Sequence, residues 1–219
     1  MAELARVLDA EVDERRLLEH PFYQAWSEGR LTEQDLAFYS TQYWRQVEAF
    51  PGYLEGLAER LPDGAARLIV TENLSDERDG DHPGLWKSFA AALGVGDGAL
   101  ESSTPEPETV GCVDAFRTGM QDSSIPFALG MLYGYESQTP AVATSKVRGL
   151  REHYGIEAGL DYFELHAELD IEHAGELASA LARYTDSPEG LDQARAGTRA
   201  GAEAVWGLLD GVARVRAIA

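Results

Sequence analysis

His166-Ala-Glu-Leu-Asp170-Ile-Glu-His173 lies inside residues 161–184, a run whose apolar spacing predicts one long helix. At about 100° per residue, side chains at i, i+4 and i+7 of a helix fall within a sector of about 60°. His166, Asp170 and His173 therefore share one stripe, while Glu168 and Glu172 point away from it. Two imidazoles and a carboxylate are metal-ligand types, and the flanking acids read as a solvated face. The chain holds 5 His and 38 Asp plus Glu in 219 residues, so this spacing arises by accident in roughly one such chain in fifty. On spacing alone, a surface or hydrogen-bonded histidine pair remains the alternative.

Outward from this stretch, almost every segment keeps the helical period and none reads convincingly as a strand. Leu4, Val7, Leu8, Val12 and Leu18 predict a first amphipathic helix that stops near His20-Pro21. Pro21 begins a short helical turn reaching about Gly29. Thr32-Glu-Gln-Asp35 resembles a capping box with Asp in place of Glu or Gln. It opens a long helix carrying Leu36, Tyr39, Tyr43, Val47 and Phe50, with a kink expected at Pro51. Asp63 is expected to cap the next helix, which breaks at Asp79-Gly80. A helix over 82–93 ends at Gly94, and 96–108 reads as a loop. Helices are expected over 109–121 and 125–138, and Thr139-Pro140 predicts an N-cap with proline at N1 for a helix ending at Gly155. Ser187-Pro188-Glu189 starts the last helix. The fold expected is all-α, one helical domain over residues 1–219.

The net charge of −20 argues against nucleic acid and against an anionic membrane surface. No stretch approaches 18 consecutive apolar residues, so no membrane span is expected. The N-terminus lacks the basic start and apolar run of a signal peptide. Cys112, the single cysteine, permits no internal disulfide and reads as a small core residue in a reducing compartment. The expected location is cytoplasmic.

A dinuclear oxygen-activating site needs about six protein ligands, with carboxylates to buffer charge and neutral imidazoles to fix geometry. Glu136 ends the very apolar segment Leu132-Tyr133-Gly-Tyr-Glu136, so it is expected to face inward and to be paired or ligating. Glu77 and His82 flank the break at Asp79-Gly80, where both side chains can be aimed at one point. The paired Glu-x-x-His motifs of ferritin-like di-iron proteins are absent, as is a zincin His-Glu-x-x-His.

His20-Pro-Phe-Tyr23-x-x-Trp26, Ala49-Phe-Pro-x-Tyr53, Asn73-Leu-x-Asp76-Glu77, His82-Pro-x-Leu-Trp86, Ala91-x-Leu-Gly94, Tyr135-Glu136-Ser-Gln-x-Pro140 and His166-x3-Asp170-x2-His173 occur in this order. Together they resemble the heme-oxygenase-like dimetal oxidases, over roughly residues 15–185. The resemblance implies the seven-helix bundle shared by heme oxygenases, thiaminase-like proteins and the coenzyme-PQQ synthesis protein C. Carried over position by position, it implies Glu77, His82, Glu136, His166, Asp170 and His173 as ligands of two metal ions, Fe/Fe or Mn/Fe, with dioxygen and an external reductant. The stretch between Glu77 and His82 is shorter than in close relatives, which leaves Asp76 and Glu72 as alternatives for the first ligand.

Within that family the chain looks most like the para-aminobenzoate synthases first described as death-domain-associating proteins. In these the enzyme is its own substrate: a tyrosine supplies the ring and a lysine is implicated as amino donor. The matching positions are Tyr23 and Lys146. Tyr43, Tyr135 and Tyr162 fall on expected core faces and are candidates to relay electrons, against the alternative of ordinary buried packing. Lys146 shares a helix face with Val142 at i+4, where a lysine either snorkels or is functional. Two other readings stay open: a dimetal oxidase acting on an external amino acid or amine, and a non-catalytic helical binding protein. Relatives suggest a homodimer.

Overall fold

Breaks at glycine, proline and small polar residues cut the chain into helices at short intervals. The computed structural model describes residues 2–219. Helix α1 (Ala2–Val12) is followed by two 3-10 turns, Asp13–Arg15 and Leu17–Glu19. Then come α2 (Pro21–Ser27), α3 (Glu33–Arg60), α4 (Ala65–Asp79), α5 (His82–Ala92), α6 (Asp97–Ser102), α7 (Pro107–Asp122), α8 (Ile125–Glu136), α9 (Thr139–Tyr154), α10 (Asp161–Leu181) and α11 (Pro188–Arg216). No strand occurs among the described residues, as expected. Among the described residues the α-helices number eleven rather than seven, because short pieces such as α2 and α6 stand between the long ones.

The capping box at Thr32 is present: its hydroxyl accepts from the Asp35 amide at 3.2 Å, and the Asp35 carboxylate accepts from the Thr32 amide at 2.8 Å. Ser187 caps α11 in the expected way, accepting from the Gly190 amide. Helix α3 runs on through Pro51. Four expectations need correction. The first helix stops at Val12, and the chain continues in 3-10 turns toward Pro21. Asp63 does not cap α4: Gly64 holds the N-cap position without a side-chain bond, and Asp63 pairs with Arg67 at 2.7 Å. The 96–108 loop contains α6. Thr139 lies inside α9 rather than capping it, because its hydroxyl turns back to the Tyr135 carbonyl at 3.2 Å.

Helix α8 is apolar on nearly every side, and almost all of it is buried. It lies along α11 with their backbones close together. A Cβ on Gly134 would sit 2.0 Å from the Thr198 carbonyl oxygen, and one on Gly197 would sit 2.0 Å from that of Phe127. Helix α10 packs against α9, α8, α4 and α5, so the stripe His166–Asp170–His173 faces the ends of the helices that carry the other candidate ligands. Tyr23, Trp26, Tyr39, Tyr43, Trp86 and Phe163 fill the adjoining core. Cys112 is buried there too. No helix among the described residues is long and apolar enough to cross a membrane.

Candidate metal centre

Helix α4 delivers Glu77 in its last turn, and α5 begins with His82. The connection between them is tight. Gly80 has no room for a Cβ, which would come within 2.8 Å of both the Asp76 carbonyl and His82 Nε2. Asp81 adopts a left-handed conformation (φ 47) and caps α5 through the Gly84 amide at 3.2 Å. This fold-back brings His82 Nδ1 to 2.9 Å from Glu77 Oε1. The contact is not aligned as a hydrogen bond, so among the described residues His82 Nδ1 is a buried nitrogen with no hydrogen-bond partner. His166 Nε2 lies 3.8 Å from the same carboxylate oxygen. One ligand atom from each of Glu77, His82 and His166 falls within 4.8 Å of the others.

His166 is pre-set for ligation. Its Nδ1–H donates to the Tyr162 carbonyl at 2.6 Å, which leaves the Nε2 lone pair facing Glu77. Glu136, at the end of α8, accepts from Asn73 Nδ2 at 3.0 and 3.2 Å. On α10, His173 Nδ1 lies 3.6 Å from Asp170 Oδ1, while its Nε2 contacts Asp76 Oδ2 at 3.2 Å. Glu77, Glu136, His166, Asp170 and His173 line one small cavity together with Tyr135 and Tyr162. His82 joins them through Glu77 and His166. All of the expected ligand residues are thus neighbours and all are buried. Of the three acids considered for the first position, Glu77 faces the cavity, Asp76 backs His173 from a half-exposed position, and Glu72 is exposed.

The electrostatics describe a site short of positive charge. Burial pushes the Glu136 carboxyl up to about 8, and the Asp170 carboxylate adds to the rise. Burial acts the same way on Glu77, but His166 and His82 outweigh it and hold that carboxyl down near 2. Burial alone would depress His173; Asp170, Glu136 and Asp76 instead raise it to about 9. His166 is raised as well, burial being overcome by Glu77 and Asp170. Protons here compensate buried carboxylates, a task that metal cations perform while displacing those protons. The unpartnered His82 nitrogen and the mix of imidazole and carboxylate donors fit iron or manganese.

A second chamber adjoins the first. Lys146 is 4% exposed, and among the described residues no carboxylate pairs with it. Its Nζ donates to the Tyr39 hydroxyl at 2.6 Å, and that hydroxyl lies 3.3 Å from the hydroxyl of Tyr23. The rings of Tyr23, Tyr39 and Tyr43 stand 5.0 Å from the amine and that of Phe163 4.9 Å. Burial holds this amine well below the usual lysine range and raises the Tyr23 phenol above the usual tyrosine range. Tyr135, Tyr162 and His166 line both chambers. Tyr43 bonds Tyr135 hydroxyl to hydroxyl at 2.9 Å, and the Tyr162 ring stacks on His166 at 4.1 Å. The tyrosines expected as relays therefore form the partition. Sequence reasoning missed Tyr39 and Asn73. Each had a signal, since Tyr39 precedes Tyr43 and Asn73 precedes Glu77 by one helical turn.

The all-helical bundle holds a buried set of carboxylate and imidazole donors that suits a metal centre. The chain belongs to the heme-oxygenase-like family described as iron-containing redox enzymes, whose sequence profile matches residues 37–206. It is 36% identical over 218 residues to a 4-aminobenzoate synthase of Nitrosomonas europaea, covering 94% of this chain and 89% of that one. It is 39% identical over 210 residues to a 4-aminobenzoate synthase of Chlamydia muridarum, covering 93% and 87%. A 4-chloro-allylglycine synthase of Streptantibioticus cattleyicolor is 28% identical over 192 residues, covering 84% and 74%. Among solved structures, a TenA homologue from Pseudomonas syringae pv. tomato superposes with a TM-score of 0.81 at 19% identity, over 97% of this chain and 92% of that one, a likeness of fold.

Proposed function

We propose that this chain is a dimetal oxidase that makes 4-aminobenzoate from its own Tyr23 ring, with Lys146 as amino donor. The observation that carries the reading is the second chamber: a buried, unpaired lysine and a buried tyrosine share the Tyr39 hydroxyl, one partition away from the candidate ligands. Glu77, His82, Glu136, His166, Asp170 and His173 would hold two metal ions, Fe/Fe or Mn/Fe. When bound, that pair would supply dioxygen activation, with electrons from an external reductant. The remaining work falls to the chain's own groups. The enclosed aromatic walls exclude water from the Tyr23 ring. Burial holds the Lys146 amine well below its usual range, which favours the neutral form a nitrogen donor needs. Tyr39 holds the amine beside the phenol.

The relative named for 4-chloro-allylglycine favours a second reading, in which an external amino acid is oxidised and Tyr23 and Lys146 are incidental. One experiment separates the two. Metal-loaded, reduced protein is exposed to oxygen with no added substrate, and its intact mass is taken. Loss of mass mapping to Tyr23, with aminobenzoate released at no more than one per chain, is the expected result. An unchanged mass with many turnovers on a supplied amino acid would overturn the self-sacrificing reading.

A further inference from the structure

Tyr23 and Lys146 are almost inaccessible, so any small molecule that meets them must cross a wall. One wall is thin. A surface groove lined by Val12, Leu18, Ser137 and Ala141 shares Leu17 and Val142 with the Lys146 chamber. Leu17 sits in a weak stretch of backbone. It opens a three-residue 3-10 turn, joined through the extended Arg16 (φ −62, ψ 112) to another three-residue turn. Such turns have poor hydrogen-bond geometry and little cooperativity. Leu17 packs in the core, and among the described residues one side-chain hydrogen bond ties the turn's backbone to the bundle: Gln138 Oε1 accepts from the Leu17 amide at 2.8 Å, while Gln138 Nε2 donates to the Gly134 carbonyl at 3.0 Å. Beside the latch, the buried Ser137 hydroxyl has no hydrogen-bond partner among the described residues.

We propose that Leu17 and Val142 form a gate, latched by Gln138, through which small neutral molecules such as dioxygen pass between the groove and the Lys146 chamber. Opening requires the Leu17–Glu19 turn to part from Gln138, which moves the Leu17 side chain out of the shared wall. The gate concerns access alone and holds whether the oxidised ring comes from Tyr23 or from outside.

The sequence supplies a built-in probe, because the chain has only two lysines, Lys87 and Lys146. Lys87 lies on the surface in an ion pair with Glu101 and serves as the internal reference. The metal-loaded full chain is held free of oxygen and treated with formaldehyde and dimethylamine–borane, both small and neutral. A neutral amine condenses with formaldehyde and water leaves; the borane then delivers hydride to the imine carbon while the nitrogen takes a proton from water, giving a methylamine. Peptide mass spectrometry then gives the Lys146 rate relative to Lys87. Loss of the latch bond in Gln138→Ala is expected to raise that ratio about fivefold. Leu17→Ala is expected to raise it further and Leu17→Trp to lower it. The wild-type Lys146 rate should be nearly flat in low urea, as local opening exposes little surface, whereas global unfolding rises steeply. An unchanged ratio in Gln138→Ala and both Leu17 variants, or a urea dependence equal to that of global unfolding, would overturn the gate. Labelling needs no turnover, so a chain that proves not to excise Tyr23 leaves this result standing.

Discussion

Lys146 donates to the Tyr39 hydroxyl across 2.6 Å, the one side-chain hydrogen bond of its amine among the described residues. The same hydroxyl reaches Tyr23, so one oxygen organises the ring and the amine together. Tyr39→Phe would leave the amine buried without a hydrogen bond. The expected cost is about 1–3 kcal/mol in chemical denaturation. Self-modification at Tyr23 should fall while metal content stays at the wild-type value. A parallel loss of metal would show that Tyr39 supports the metal centre instead.

The desolvated amine also sets a pH dependence. Burial holds Lys146 well below its unfolded value, so between those two values the unfolded chain binds more protons than the folded one. Stability from this group therefore rises with pH across that window. Lys146→Met removes the term and keeps an apolar side chain of similar reach. The variant should be the more stable of the two near pH 7, and its advantage should shrink toward about pH 9.5, by up to about 1.4 kcal/mol per pH unit. Denaturation midpoints of both proteins over that range give the difference. A flat difference would mean that the amine stays charged in the fold.

Much of this arrangement is legible in the sequence, and the parts that are not have physical reasons. The stripe His166–Asp170–His173 follows from helical spacing alone, and Glu136 follows from an acid ending an apolar segment. That Glu77 rather than Asp76 faces the cavity is a matter of one position on α4, about 100° of rotation, set by how α4 packs on α10. The caps show the same limit. Thr32 and Asp35 satisfy each other locally, whereas the Thr139 hydroxyl bonds back to the Tyr135 carbonyl of α8, a partner outside its own helix. Tyr39 reads as one more apolar position on α3, because its hydroxyl matters only through side chains brought in by α2 and α9.

Asn73 donates to both carboxylate oxygens of Glu136, at 3.0 and 3.2 Å. A donor there fixes the rotamer of a carboxylate that has to meet a metal ion. Asn73→Leu removes the donor in a similar volume. The apparent affinity for metal is expected to fall about 10- to 100-fold, measured by competition against a chelator. The fold should survive, since the amide oxygen of Asn73 already lacks a partner and a leucine leaves no polar atom behind. An unaltered affinity would mean that Glu136 is held by packing alone.

The glycines of α8 offer a test of how far the site depends on helix spacing. A Cβ on Gly134 would meet the Thr198 carbonyl oxygen at 2.0 Å and its carbon at 2.8 Å. Both are backbone atoms, so α8 and α11 must separate to admit it. Gly134→Ala is expected to destabilise the protein by about 1–3 kcal/mol through overpacking. Glu136 lies two residues along the same helix, so metal content should fall with stability. Gly175→Ala is the matched control. That glycine is exposed inside α10, near His173, with nothing within 4 Å of its Cβ position. Alanine there is expected to stabilise the helix by up to about 1 kcal/mol and to leave metal content unchanged. Opposite signs at two glycines in ligand-bearing helices would establish that the approach of α8 to α11, rather than helix propensity, holds Glu136 in place.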